Sequence, residues 1–277
     1  MPIITLTTDF GDKDHFVGAV KGALLSELPS STIVDITHKI SPFNIHETAY
    51  IIGNAYKKFP PGSIHIIGVD AEFNPLNTHI AVKYDGHYFI AANNGVLTLL
   101  CKNGQPEKIV ETTTQDLEES NFSVLDVFVK VAARIARGDT LEVIGNPITK
   151  LKAITDIDSI VSNDQNQIKG VVAYIDNYGN VVTNITQKLF ETVGKGRAFE
   201  VRARNHRFTQ VLSKYSDIVN FNNEAGINDY TGRKLALFNS GGLLEIAIYR
   251  SNPETVGGAS TLLGLAYRDT VTVHFEE

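Results

Sequence analysis

Apolar positions in the first 70 residues alternate between two periods. The run PIITLTTDF is apolar and β-branched almost throughout, and it gives way to HFVGAVKGALLSEL, where apolar residues recur every three or four positions. STIVDITH is strand-like again, and NIHETAYIIGNAYKKF is helical until Pro60, Pro61 and Gly62 stop it. SIHIIGVD is a third strand closed by Asp70. Strand–helix–strand–helix–strand predicts a parallel α/β sheet covered on both faces. HIAVKYDGHYFIAA and NNGVLTLL predict a hairpin and its continuation, and LDVFVKVAARIARG predicts an amphipathic helix ended by Gly138.

The pattern changes after about residue 150. LKAITDIDSIVSNDQNQIKG is polar with scattered apolar positions and reads as a connection. Beyond it GVVAYIDNYGNVVTNIT, RAFEVRARNHRFTQVL, RKLALFNSGGLLEIAIYR and DTVTVHFEE are short alternating segments divided by Gly, Asn and Asp, as in an antiparallel sheet or small barrel. The predicted organisation is an N-terminal α/β domain with a mainly parallel central sheet over 1–157, a linker over 158–168, and a smaller, β-rich, barrel-like domain over 169–277.

With 277 residues, 43% of them hydrophobic, the chain can bury a substantial core. A net charge of −6 without any basic run argues against nucleic acid or a membrane surface as partner. Cys101 is the only cysteine, which excludes an internal disulfide framework and fits a reducing compartment. The opening residues lack the basic-then-apolar layout of a secretory leader, and no apolar run approaches the roughly 20 residues of a membrane helix. The expectation is a cytoplasmic protein acting on a small molecule.

Candidate chemistry begins at strand ends, because open α/β sheets bind ligands beyond the carboxyl ends of their strands. Asp9 follows the first strand, His38 the second and Asp70 the third. TTDFGDKDHF places Asp9, Asp12 and Asp14 within six positions, which suits a hard cation, the hydroxyls of a ligand, or simple capping and solvation. The glycines spell neither a dinucleotide fingerprint nor a phosphate loop, and no nucleophile elbow occurs. YIDNYGN packs an acid, two amides and an aromatic around a glycine, while FNSGGLLEIAI sets Glu245 inside an apolar strand. A half-buried carboxylate there calls for a cationic partner, a ligand ammonium among the candidates.

Taken together, TTDFG, DITH, the third-strand Asp, IDNYGN and NSGGLLEIAI stand in the order seen in S-adenosylmethionine hydroxide adenosyltransferases, relatives of the fluorinating and chlorinating enzymes, and the chain resembles that family along nearly its whole length. The resemblance implies an α/β domain followed by a β-rich one, and a homotrimer that binds substrate between the first domain of one subunit and the second of its neighbour. It implies that Asp9 holds the ribose hydroxyls, that Asp14 faces the methionine end and that Phe43 contacts the nucleoside. Tyr178 and Asn180 would contact the adenosine, and Asp176, Ser240 and Glu245 the amine and carboxylate region of methionine. No metal or cofactor is implied, S-adenosylmethionine being the substrate. The implied reaction is displacement of methionine from the ribose C5′ by water.

The chain departs from the family at the water-activating residues. DAEFNPLNTH keeps Asp70 but has Asn77 at the expected catalytic Arg, and NFSVLD has Ser123, Val124 and Leu125 where relatives carry His, Gly and Arg. Asn77 can only hydrogen-bond, and the loss of one positioned acid–base group typically costs about 10²–10⁴-fold in rate. His79 is a nearby substitute to consider. A halogenase is disfavoured, since Asp70 would repel a halide and Val124 offers it no hydrogen bond. Three functions stay open: a slow hydrolase with Asp70, Asn77 and Ser123 at its reacting centre, a binding protein that has lost the water chemistry, and a metal-dependent nucleoside hydrolase on Asp9, Asp12 and Asp14. The loop IYRSNPETVGGAS, residues 248–260, is longer than its counterpart in relatives and either a neutral insertion or a changed base pocket.

Overall fold

The computed structural model describes residues 3–102, 104–113, 120–221 and 227–276. The chain divides into two compact units, Met1–Thr155 and Asp156–Glu277. Among the described residues no helix is long and apolar enough to cross a membrane.

The first unit is built in chain order from β1 (Ile3–Thr8), α1 (Phe16–Glu27), β2 (Thr32–Thr37), α2 (Ile45–Ala55), β3 (Ile64–Gly68), β4 (His79–Tyr84), β5 (His87–Ala92), α3 (Val96–Leu100), β6 (Lys108–Thr112), α4 (Val129–Arg137), α5 (Leu141–Ile144) and β7 (Gly145–Pro147). The sheet order is β2-β1-β3-β5-β4-β6-β7. The β2-β1, β1-β3 and β3-β5 pairs are parallel, and β4, β6 and β7 extend the sheet in antiparallel pairs. Both faces are covered, which is why β1 and β3 read as continuous apolar runs. Ile4, Leu6, Ile64 and Ile66 pack with Val20 and Leu24 of α1 and with Val131 and Ile135 of α4. On the other face Ile67, Ile80 and Phe89 pack with Ile52 of α2 and Val96 and Leu97 of α3.

The expected hairpin forms between β4 and β5, with Asp85 and Gly86 both at positive φ (51° and 75°), the geometry a two-residue Asp-Gly turn favours. NNGVLTLL does not continue as a strand; it turns at Gly95 (φ 105°) and becomes α3. Asn94 Oδ1 accepts the Val96 N–H at 3.1 Å, a local cap that outweighs the strand-like run. The helix predicted over LDVFVKVAARIARG opens with a π-helical turn at Val124–Phe128, continues as α4 and stops at Gly138 (φ 101°).

The second unit is an antiparallel, barrel-like sheet of β8 (Ile160–Val161), β9 (Gln167–Ile175), β10 (Val181–Thr186), β11 (Phe199–Ala203), β12 (His206–Phe208), β13 (Lys234–Phe238), β14 (Leu243–Ile248) and β15 (Thr270–Phe275), with α6 (Gln187–Gly194) and α7 (Ala259–Leu262) between strands. The order is β12-β11-β15-β9-β10-β14-β13, and β8 pairs with β9. The long β9 pairs with β15 through Gln167–Val171 and with β10 through Val172–Ile175, and this handover curls the sheet around one core that includes Ile168, Val181, Val201, Leu244, Ile246 and Val273. The stretch expected as a linker, 158–168, holds β8 and the start of β9. Its polar exposed positions mask two ladder pairs, Ile160 with Lys169 and Val161 with Ile168.

Candidate active site

In the first unit a cavity of about 170 Å³ opens beyond the carboxyl ends of β1 and β3. Asp9 comes directly after β1 and Asp70 comes after β3 with Val69 between, so the parallel pairing of these strands delivers both carboxylates to one place. Phe43, Glu72, Ser123 and Val124 also line it. The lining residues include three acids, Asp9, Asp70 and Glu72, and no base. Phe10 and Phe122 supply an apolar wall, braced by Phe16 with ring centroids 5.4–5.9 Å apart. Neither Phe10 nor Phe122 stood out in the sequence, although each lies within a quoted motif, TTDFG and NFSVLD.

Asp9 Oδ2 accepts the Phe43 N–H at 3.0 Å, tying the end of β1 to the loop before α2. Phe43 has φ 62° and is 71% exposed, so its ring is offered to the outside. The other two N-terminal acids diverge from Asp9. Asp12 pairs with Lys39 at 2.9 Å, and that ammonium holds its carboxyl below the ordinary value. Asp14 is exposed and does not line the cavity. His38 is likewise outside it, with Nδ1 2.8 Å from Thr8 Oγ1 and Nε2 3.1 Å from Asp35.

Asp70 lies in left-handed backbone, φ 47°, a conformation that costs an L-residue about 1 kcal/mol. Among the described residues its carboxylate accepts no hydrogen bond. Asn77 does not reach the cavity; it is buried, and its Nδ2 donates to the carbonyls of Asp70 at 2.9 Å and Glu72 at 3.0 Å. His79 is fully buried, with Nε2 donating to Ala71 O at 2.9 Å. Burial lowers its pKa, and the ring is closed off from the cavity that a substitute base would have to face. Ser123 is 5% exposed and begins the π-helical turn, and Val124 lies against Gly68 at the cavity floor.

In the second unit Asp176, Tyr178 and Asn180 form the β9–β10 turn. The Asp176 carboxylate accepts the Tyr178 N–H (2.9 Å), the Asn180 N–H (2.8 Å) and the Asn180 side-chain amide (3.0 Å), so it organises the turn. Asn180 is buried and Tyr178 is 67% exposed. Glu245, 3% exposed, accepts the Tyr215 hydroxyl at 2.5 Å. Burial raises its pKa, hydrogen bonds from Tyr215 and Asn239 oppose the rise, and the nearby Asp176 adds to it. Among the described residues Glu245 has no Lys or Arg partner; its hydrogen bonds come from the Tyr215 hydroxyl and the Asn239 side chain. Ser240 is exposed on the β13–β14 turn, where Asn239 Oδ1 accepts the N–H groups of Gly241 and Leu243 at 3.0 and 3.2 Å.

Family models for the SAM hydroxide adenosyltransferase N-terminal and C-terminal domains match residues 4–145 and 170–272. The chain is 29% identical over 284 residues to an (R)-S-adenosyl-L-methionine hydrolase of Methanocaldococcus jannaschii, with 99% of this chain and 96% of that protein covered. It is 27% identical over 225 residues to a fluorinase of Actinopolyspora mzabensis, covering 70% of this chain and 75% of the other. A crystal structure of a conserved protein from Thermotoga maritima superposes with a TM-score of 0.82 at 29% identity, covering 98% of this chain and 99% of that one. With both of its units matched, the chain belongs to the SAM hydroxide adenosyltransferase family.

Proposed function

We propose that this protein hydrolyses S-adenosylmethionine to adenosine and methionine. The carrying observation is the cavity in which Asp9 and Asp70 meet at the ends of two adjacent parallel strands. A full-length relative named (R)-S-adenosyl-L-methionine hydrolase supports the reading. A water oxygen bonds to the ribose C5′ as the C5′–S bond breaks. The bonding pair leaves with sulfur as the neutral thioether of methionine, and the water proton passes to Asp70 or to solvent. Because the leaving group is neutral, no general acid and no cofactor is needed, and the protein has only to align the water opposite sulfur. A wall with three acids and no base favours a sulfonium cation and disfavours an anionic nucleophile.

In this reading Asp9 uses the oxygen not engaged by Phe43 for a ribose hydroxyl, and Asp14 faces the methionine end. Phe43, Tyr178 and Asn180 contact the nucleoside, and Asp176, Ser240 and Glu245 contact the amino-acid end. The reading includes a homotrimer with sites completed by a neighbouring copy. The exposure of Phe43 and Tyr178, two aromatic rings left bare on one chain, supports it. It also includes a cytoplasmic location, supported by the single buried, unpaired Cys101.

The test is a long incubation of metal-stripped protein with each sulfonium epimer of S-adenosylmethionine, followed by chromatography. Asp70→Ala is expected to lower adenosine formation by at least about 10²-fold. Calorimetric binding without product from the unmodified protein would replace the hydrolase by a binding protein. Sedimentation at micromolar concentration checks the trimer.

A further inference from the structure

Four consecutive carbonyls, those of Val69, Asp70, Ala71 and Glu72, are gripped by three buried side chains. Asn94 Nδ2 donates to Val69 O at 3.0 Å and to Asp70 O at 3.3 Å. Asn77 Nδ2 takes Asp70 O and Glu72 O, and His79 Nε2 takes Ala71 O. Asn94, Asn77 and His79 are 7%, 5% and 0% exposed. Two of the three grips are themselves fixed. The Asn94 amide is oriented by the Val96 N–H on its Oδ1, and the His79 ring is held edge-on by Phe73 and Phe128 at 5.3 and 4.8 Å. With these carbonyls held inside, Asp70, Ala71 and Glu72 remain at the cavity lining, and the left-handed Asp70 is kept in a conformation it would not hold alone.

We propose that Asn94, seconded by His79, is a positioning residue that acts through the backbone of Asp70 and aims its carboxylate at the attacking water. The proposal rests on the hydrolase reading of the cavity. Asn94 does not line the cavity, and Asp9 and Phe43 are held by a separate bond between the β1 end and the loop before α2. Its loss therefore bears on the water more than on the substrate.

The experiment compares the unmodified full-length protein with Asn94→Ala and Asn94→Asp; the second keeps the acceptor for Val96 but opposes an oxygen to both carbonyls. Two readouts are taken: steady-state kinetics on S-adenosylmethionine, and amide hydrogen exchange over residues 74–77, where the N–H groups of Asn74 and Asn77 each donate to the other's carbonyl. The expected result is a kcat about 10²-fold lower with KM changed less than about threefold, as for a misplaced reacting group. Exchange over 74–77 is expected to quicken by about tenfold or more while the core strands keep their protection. An unchanged kcat, a change confined to KM, or a kcat that falls only with the folded fraction overturns the proposal. If the Asn94 variants do not fold, His79→Leu and His79→Gln carry the same comparison, the glutamine restoring a donor to Ala71 O and with it kcat. Should the unmodified protein form no adenosine, the hydrolase reading fails by itself. Exchange then decides the clasp: quickened exchange in Asn94→Ala supports it, and unchanged exchange removes it.

Discussion

At the scale of single residues the cavity floor depends on a contact between two small groups. A Cβ added at Gly68 would lie 2.9 Å from Val124 Cγ2, 3.2 Å from Thr8 Cγ2 and 3.3 Å from Phe10 Cζ. Gly68→Ala is expected to destabilise the first unit by about 1–3 kcal/mol through overpacking. In a Val124→Ala background the nearest clash is gone, so urea denaturation of the two single variants and the pair should show favourable coupling. Strict additivity would mean that the floor yields elsewhere. Val124 fills space at the cavity lining without adding a hydrogen bond.

At the scale of elements, the two acids expected to meet the amino-acid end of a ligand are embedded differently. Asp176 spends three acceptor interactions on its own hairpin turn. Asp176→Ala should cost about 1–3 kcal/mol in the second unit, because the N–H groups of Tyr178 and Asn180 lose their partner. Calorimetry of that variant beside Asp176→Asn, which keeps one acceptor oxygen, checks it; equal losses would assign the cost to something other than the turn. Glu245 sits on β14 facing Tyr215, so its environment is set by a distant segment and not by its own strand. Its folded pKa is raised above the ordinary 4.5, so its contribution to stability is present below that value and is lost as pH rises through the folded one.

At the scale of the whole molecule the acid limit is set in the first unit's sheet. His65 on β3 is fully buried, with Nδ1 2.7 Å from Thr5 Oγ1 and Nε2 3.2 Å from His87 Nδ1. Burial, and then the neighbouring His87, push its pKa down to about 3, and burial also lowers His87 and His79. The unfolded chain therefore binds protons that the folded chain does not. The stability involved is complete above about pH 6.5 and is lost as pH falls toward 3, on the order of a few kcal/mol. Denaturant midpoints measured between pH 7 and pH 4 should fall steeply, and His65→Gln should flatten that fall. An identical slope in the variant would move the acid sensitivity to other groups. Glu245 works the opposite way and cannot produce this loss.

The alternation of periods settled the two-part architecture, because periodicity records which faces are buried, and covered strands and amphipathic helices write that locally. It also placed Asp9 and Asp70 at strand ends, and parallel pairing of β1 with β3 brought them together. The sequence did not settle which way polar groups turn. Three acids in TTDFGDKDHF look alike, yet one ties to Phe43, one pairs with Lys39 and one faces water. Asn77 read as a lost arginine and proved to be a backbone clasp, while Asn94 drew no separate reading within NNGVLTLL. NNGVLTLL became a helix because a cap and a left-handed glycine overruled its strand-like composition. Asn77 reaches back only 7 and 5 positions and the Asn94–Val96 bond spans 2, but Asn94 with Asp70 and Asp9 with Phe43 are partners 24 and 34 positions apart. A side chain's hydrogen-bond partner is fixed by where the folded backbone brings a free donor or acceptor, and only the tertiary structure carries that information.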